Sequence, residues 1–419
     1  MKIIATSDWH LGNIFHGNDR LPEHIHFLDW LNTQIREHQP DALLVAGDVF
    51  DNGNPSAAAQ SAYYAFLAEA TARCPHIRIV ITAGNHDSAS RLEAPRELLS
   101  RHNVEIRGSI HREWVSDGTD GHWEIDYDDL MIPVKDQEGN EIVVLAMPFL
   151  RSDIVRDANY SQGVNRILKE LTERARGRFP GLPLVMMAHI YAKGAEIAHQ
   201  EASEKIAIGG QEEVNMEGWA DHPEYLTCGH IHKRQHVWNT DWARYTGSVL
   251  PMSFAEKDYR HGVDLITFEG NRPRVELLEY QPQHRLRVFP ENDEDYTINK
   301  LKKLLDGELA DRVEGRLSGN FEYLVLRVQQ DRINNDAVKD LESFIETKDA
   351  VLCKMQKIST QIDIQTLTDH QQLRSVDDIL NRDPMEALKE CFLIRQQKEL
   401  NPNQLQILEE IINNVKVNS

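Results

Sequence analysis

Five short apolar runs in this chain stop abruptly, and each stops at residues that ligate cations. Lys2–Thr6 leads into Ser7-Asp8-Trp9-His10, and Ala42–Ala46 into Gly47-Asp48-Val49-Phe50-Asp51. Ile77–Ala83 leads into Gly84-Asn85-His86-Asp87, Leu184–Ala188 into His189, and Tyr225–Cys228 into Gly229-His230-Ile231-His232. A sixth run, Ile142–Met147, has the same Ile/Val/Leu character. Runs of this length and composition read as buried strands. Between the first two, Phe27, Leu28, Leu31 and Ile35 share one helical face, and Ser56–Arg73 has helical composition. The alternation predicts an α/β fold. Strands buried on both faces need helices on both sides or a second sheet stacked on the first. In such folds ligands bind beyond the carboxyl ends of the strands, so the five clusters can converge on one site.

The residue types suit a pair of divalent cations. Two cations about 3.5–4 Å apart need a bridging carboxylate, imidazole and oxygen ligands, and room for water and a phosphate. Asp48 is the natural bridge, with Asp8, His10 and His232 around one cation and Asn85, His189 and His230 around the other. A mixed oxygen and nitrogen set without thiolate favours Mn²⁺, then Fe²⁺ or Mg²⁺. His86, next to Asn85, is placed to stabilise a transition state or protonate a leaving alkoxide. Asp87 is expected to orient His86.

The order Asp-x-His, Gly-Asp-x-x-Asp, Gly-Asn-His-Asp, His, Gly-His-x-His resembles the calcineurin-like metallophosphoesterase superfamily, and within it the Mre-type nucleases of SbcCD complexes. The closer likeness is carried by Thr6–Gly12, Val45–Asp51, Ala83–Ser88, Met147-Pro148-Phe149-Leu150-Arg151 and Tyr245-Thr246-Gly247-Ser248, with Pro251 and Ser253-Phe254 following. It is strong over residues 1–260 and persists in layout only beyond. It implies a four-layer α/β/β/α sandwich over residues 1–282, a DNA-capping α+β domain over 283–360, a linker at 361–374, and helices over 375–419 that dock on an ATPase. It also implies two Mn²⁺ per chain, held by Asp8, His10, Asp48, Asn85, His189, His230 and His232, with His86 catalytic. The implied activity is 3′→5′ exonuclease on duplex DNA and endonuclease on single strands and hairpins. The implied assembly pairs a dimer of this chain with an SbcC-type, SMC-like ATPase in a heterotetramer. Archaeal and eukaryotic members usually have histidine where this chain has Asp51, which is expected either to cap a turn or to assist His86.

Read without the resemblance, residues beyond Gln281–His284 form a small α+β unit. Strands are expected at Leu286–Phe289, Tyr323–Val328 and Val351–Ile358, and helices at Ile298–Leu305 and Asn334–Glu346. A polar connector, Ser359–Arg374, then precedes two amphipathic helices, the second opened by Asn401-Pro402. The stretch Arg101–Asp129 is expected to be irregular hairpin and loop.

Charge limits the ways this chain can meet nucleic acid. With 46 Lys/Arg against 67 Asp/Glu the net charge is −21, unsuited to general polyanion binding. Contact must come from local groups, and Arg20, Arg91, Arg96, Arg151, Lys233 and Arg234 are the candidates beside the motifs. Weak, salt-sensitive DNA binding is expected of the chain alone. Cys74, Cys228, Cys353 and Cys391 are widely spaced, which fits a reducing cytoplasm and argues against a disulfide framework. The opening MKIIATSDWHLG is too short in apolar residues to be a secretory leader, and no run is long enough to span a bilayer. Two other functions fit the motifs: a dimetal esterase for phosphomonoesters, cyclic nucleotides or phosphoproteins, and a non-catalytic scaffold that holds DNA ends.

Overall fold

A computed structural model describes residues 1–116, 121–155, 157, 159–197, 213–216, 218–291, 296–329 and 335–358. The expected connector and C-terminal helices lie outside these residues. Two six-stranded sheets make up the larger part. In the first, Lys2–Thr6, Ala42–Ala46, Arg78–Thr82 and Val104–Arg107 run parallel, and the antiparallel strands His261–Glu269 and Arg272–Tyr280 extend it on the Lys2–Thr6 side. In the second, Glu141–Ala146, Leu184–His189, Tyr225–Gly229 and Ala243–Tyr245 run parallel, flanked by antiparallel Met131–Lys135 and Gln235–His236.

Strand alternation decides what covers each face. Ile3, Ala5, Leu44 and Val80 of the first sheet pack against Val144, Ala146, Val185 and Met187 of the second. Their neighbours Ile4, Leu43, Val45, Ile79 and Ile81 point the other way, onto Phe27, Leu28, Leu31 and Ile35 of helix Leu21–His38 and Phe66 and Leu67 of helix Ala57–Arg73. The outer face of the second sheet, with Val143, Leu145 and Met186, is covered by Val164, Ile167, Leu168 and Leu171 of helix Tyr160–Arg178. Between the two architectures left open by the strand pattern, the stacked sheets are the one observed, giving four layers, α/β/β/α. Burial on both faces explains why these strands read as continuous apolar runs.

The stretch Arg101–Asp129 contains the expected hairpin, Arg112–Ser116 paired with Gly121–Ile125, and in addition the strand Val104–Arg107 in place of the expected loop. Leu286–Phe289 and Glu322–Gln329 pair in parallel in a three-stranded sheet completed by Ala350–Ile358. Its core joins Phe289, Leu324 and Leu326 to Leu301, Leu305, Leu341 and Ile345 from helices Ile298–Glu308 and Asn335–Ile345. Met1–Val328 and Arg332–Lys357 nonetheless form one compact unit. Phe15 and Phe254 of the larger part pack with Leu286, Val288, Tyr323 and Val325 of the small sheet.

Candidate metal centre

The strand-end loops are laced together before any side chain meets a cation. The Asp8 and His10 amides donate to the Gly47 and Asp48 carbonyls at 3.1 and 3.0 Å, and Leu11 N donates to Val49 O at 3.0 Å. This lacing requires left-handed backbone at Asp8 (φ 52°), His10 (φ 48°) and Asp48 (φ 50°), a conformation that non-glycine residues rarely adopt. Two motif glycines are there because nothing larger fits. A Cβ on Gly84 would lie 2.1 Å from Asp48 Oδ1, and one on Gly47, itself at φ +85°, would lie 2.3 Å from His189 Nδ1.

The expected ligands converge. Asp8, His10 and His232 bring ligand atoms within 4.8 Å of one another, and so do Asp8, Asp48 and His189. Asn85 joins through Oδ1, which lies 3.0 Å from His189 Nε2 and 3.0 Å from His230 Nδ1. The Asp8 carboxylate accepts from Ser7 Oγ and from the His230 amide (2.9 Å), and Ser7 Oγ lies 2.7 Å from Thr246 Oγ1. The hydroxyl of Tyr245 donates to Ile190 O and accepts from Ala192 N, both at 2.8 Å, which holds the loop after His189. The Tyr-Thr-Gly-Ser stretch is therefore part of the scaffold of the centre.

Both ring nitrogens of His10 are buried without a hydrogen-bond partner, beside Asp48 Oδ2 at 3.8 Å from Nε2. An orphaned imidazole among carboxylates and histidines is a donor set that a cation completes, so the residues fit a dimetal site. The electrostatics agree. Asp48 is buried, which alone would disfavour its charge, but the His189 and His10 imidazoles hold its carboxyl far below the usual range. Burial likewise opposes a charged His189, yet the Asp48 carboxylate raises it to about 9. His189 Nδ1–H donates to Ala46 O at 3.0 Å, which leaves Nε2 facing Asp48 Oδ2 at 3.3 Å. His230 is lowered to about 3 by burial and by the neighbouring His189.

His86 stands half-buried at this centre, its ring edge-on to His10 with centroids 4.9 Å apart. Its Nδ1 lies 2.8 Å from the Asp51 carbonyl, which can only accept, so the proton sits on Nδ1 and Nε2 is turned away from the anchor. This corrects the role expected of Asp87. The Asp87 carboxylate accepts the amides of Val49 (3.1 Å), Phe50 (2.9 Å) and Gly84 (2.9 Å), clamping the second and third loops together. Burial and the Asp48 charge raise it to about 6 despite those amides. Asp51 uses its backbone for His86 and its side chain for Asn13 Nδ2 (2.9 Å), with His10 Nδ1 at 3.6 Å.

The candidate DNA contacts divide. Arg20 is fully buried, bonded to both Glu23 oxygens at 2.9 Å and lying over Phe15 and Tyr323, so it braces the small sheet and cannot reach a phosphate. Arg234 is tied to buried Asp264 at 2.7 Å, Arg96 to Asp129, and Lys233 to Glu196. Arg91 is exposed and bonds Asn54, while Arg151 is exposed with no side-chain hydrogen bond or ion pair among the described residues. Sequence reasoning passed over Glu256, a buried carboxylate 3.4 Å from His232 Nδ1. Its signal was its position just past Ser253-Phe254, in a stretch otherwise without an assigned role.

Two stacked sheets with a histidine, aspartate and asparagine centre at the strand ends define a dinuclear metallohydrolase, and the family model for calcineurin-like phosphoesterase matches residues 1–234. The chain is 33% identical over 341 residues to the SbcD subunit of the SbcCD nuclease of Rhodobacter capsulatus, covering 79% of this chain and 81% of that protein. It is 31% identical to the SbcD subunit of Escherichia coli K12 (65% and 66% covered) and 33% identical to that of Bacillus subtilis (64% and 66%). The chain therefore belongs to the calcineurin-like phosphoesterases, in the family of the SbcD nucleases. Among solved structures it resembles a Thermus thermophilus protein (14% identical, TM-score 0.36, 66% of this chain and 98% of that one), a score too low to bear on activity. Among the described residues no helix is long and apolar enough to cross a membrane.

Proposed function

We propose that this centre hydrolyses DNA phosphodiesters as a Mn²⁺-dependent 3′→5′ exonuclease on duplex ends and an endonuclease on single strands and hairpins. The observation that carries this is the convergence of Asp8, His10, Asp48, His189 and His232, with a half-buried His86 grouped with His10 and Asp48. Asp8, His10 and His232 would hold one cation, Asn85, His189 and His230 the other, with Asp48 between them. The cations would supply a water of lowered pKa and neutralise charge on the phosphoryl group during in-line displacement. His86, anchored through Nδ1–H, presents Nε2, and as the doubly protonated imidazolium it would give its Nε2 proton to the leaving oxygen. Asp87 holds the loop that carries His86 against the loop that carries Asp48. The exposed Arg91 and Arg151 flank the third loop, where Phe149 N donates to Ala83 O, and are the groups that would meet the DNA backbone.

The relatives' name makes each of them a component of SbcCD. We infer the same for this chain: an SbcC-type, SMC-like ATPase partner, engaged through residues 375–419, with two copies of this chain in the complex. Such a partner would supply the cationic surface that a chain of net charge −21 lacks.

The test is hydrolysis of end-labelled linear duplex DNA by the purified chain with Mn²⁺, beside His86→Ala and beside p-nitrophenyl phosphate. DNA loss that requires Mn²⁺ and falls by about 10²–10⁴ in the variant, with metal content unchanged, is expected. Turnover of the small ester with DNA untouched would keep the centre and replace the substrate. DNA-end processing by the complex that survives His86→Ala would point to a scaffold.

A further inference from the structure

We propose that Glu256 is a positioning residue for His232, and so for the cation position that His232 shares with Asp8 and His10. The proposal rests on the two-cation reading of the centre. Glu256 closes the short turn Phe254–Glu256 and is 1% exposed. The turn itself anchors the carboxylate: Met252 N donates to Oε2 at 2.8 Å and Ser253 Oγ to Oε1 at 3.2 Å. Oε1 then lies 3.4 Å from His232 Nδ1, and His232 is itself 5% exposed. A carboxylate here accepts, so it selects the tautomer with the proton on Nδ1 and leaves Nε2 with its lone pair.

The two sides of the centre differ in what backs their imidazoles. His189 is held by a neutral main-chain carbonyl, Ala46 O. His232 is held by the Glu256 carboxylate. Carboxylate backing makes an imidazole a stronger donor and fixes its ring, and losing such a partner costs about 10–100-fold in metal affinity. The loss falls on the side of His232, because the carboxylate meets that imidazole at 3.4 Å, while the Asn85 and His189 side takes its orientation from Ala46 O.

The experiment is calorimetric titration of the metal-free full chain with MnCl₂, for the unaltered protein, Glu256→Gln, His232→Ala and the double variant. Two cations per chain are expected for the unaltered protein. Glu256→Gln, which keeps an acceptor for the Met252 amide, should weaken one of them about 10–100-fold and leave the other unchanged. In the His232→Ala background the same change should have no further effect, which a merely structural role for Glu256 would not produce. Should the Gln variant fail to fold, Glu256→Asp keeps the charge but retracts it from His232, and the same one-sided loss is expected. Unchanged affinities, equal weakening of both cations, or a loss that persists without His232 would overturn the role of Glu256 while leaving the two-cation reading intact. Fewer than two cations on the unaltered chain would overturn that reading itself.

Discussion

The metal centre and the small C-terminal sheet are stabilised in opposite ways. Around the centre, Asp8, His10 and Asp48 sit in left-handed backbone, His230 has φ 100°, and His10 keeps two buried nitrogens without partners. Each such residue costs on the order of 1–3 kcal/mol. Among the described residues of the small sheet's strands and helices, no non-glycine residue has left-handed backbone. Thr297 caps helix Ile298–Glu308 by accepting from Lys300 N, and Leu301, Leu305, Leu324 and Leu326 are buried together. It docks through an aromatic and aliphatic cluster, and its Tyr323 meets the buried Arg20–Glu23 ion pair of the larger part, donating to Glu23 at 3.2 Å. The difference teaches where ligand binding enters the energetics. The small sheet is held by its own contacts, whereas the centre is arranged for charges that the chain does not itself supply.

The comparison breaks most visibly at Asp48. Asp48→Ala should abolish binding of both cations and all hydrolysis, with elemental analysis reading the loss, while the small sheet stays folded and docked. Retention of two cations would contradict the assignment of the bridge. At the other region, Glu23→Ala should leave metal content unchanged yet destabilise the chain by roughly 3–5 kcal/mol, because Arg20 remains buried without its partner. Tyr323→Phe, which removes only the hydroxyl bond to Glu23 at 3.2 Å, should cost about 1 kcal/mol. Denaturant titrations of both variants check the ranking.

A pH series sharpens the contrast further. Because His189 is raised from 6.5 to about 9, its pairing with Asp48 stabilises the metal-free protein fully below about pH 6.5. That contribution is lost as pH rises through about 9. Asp48, lowered from 3.8, contributes above that value and loses its contribution as pH falls below it. Cation binding must displace the His189 proton, so Mn²⁺ affinity should rise with pH up to about 9, and calorimetry in buffers of different ionisation enthalpy should detect the released proton. The smallest effect belongs to the surface. Arg91→Ala and Arg151→Ala should each reduce the salt slope of DNA binding by about 1 and leave stability unchanged. Arg234→Ala should do the reverse.

What the sequence made legible follows the same division. Apolar runs such as Ala42–Ala46 coincide with their strands because burial on both faces leaves no other composition possible. The residues that converge on the centre were legible because each of their motifs follows such a run directly. Val104–Arg107 was not, since Val-Glu-Ile-Arg is short, alternating and set at the sheet edge. Roles that depend on where a side chain points were also hidden. Asp87 adjoins His86 in sequence but turns to the amides of Val49, Phe50 and Gly84, and the His86 ring takes its anchor from the Asp51 backbone. Arg20 follows the first metal loop but is drawn inward by Glu23 and Tyr323, the latter some three hundred residues away. Glu256 gained its place from a turn that only folding brings to His232.

The most direct test of the account is a crystal of the full chain soaked in MnCl₂ and measured at the manganese absorption edge. Two anomalous peaks about 3.5–4 Å apart are predicted, one on either side of the Asp48 carboxylate, within bonding distance of the Asp8/His10/His232 and Asn85/His189/His230 groups. A single peak, or two peaks that do not share Asp48, would contradict it.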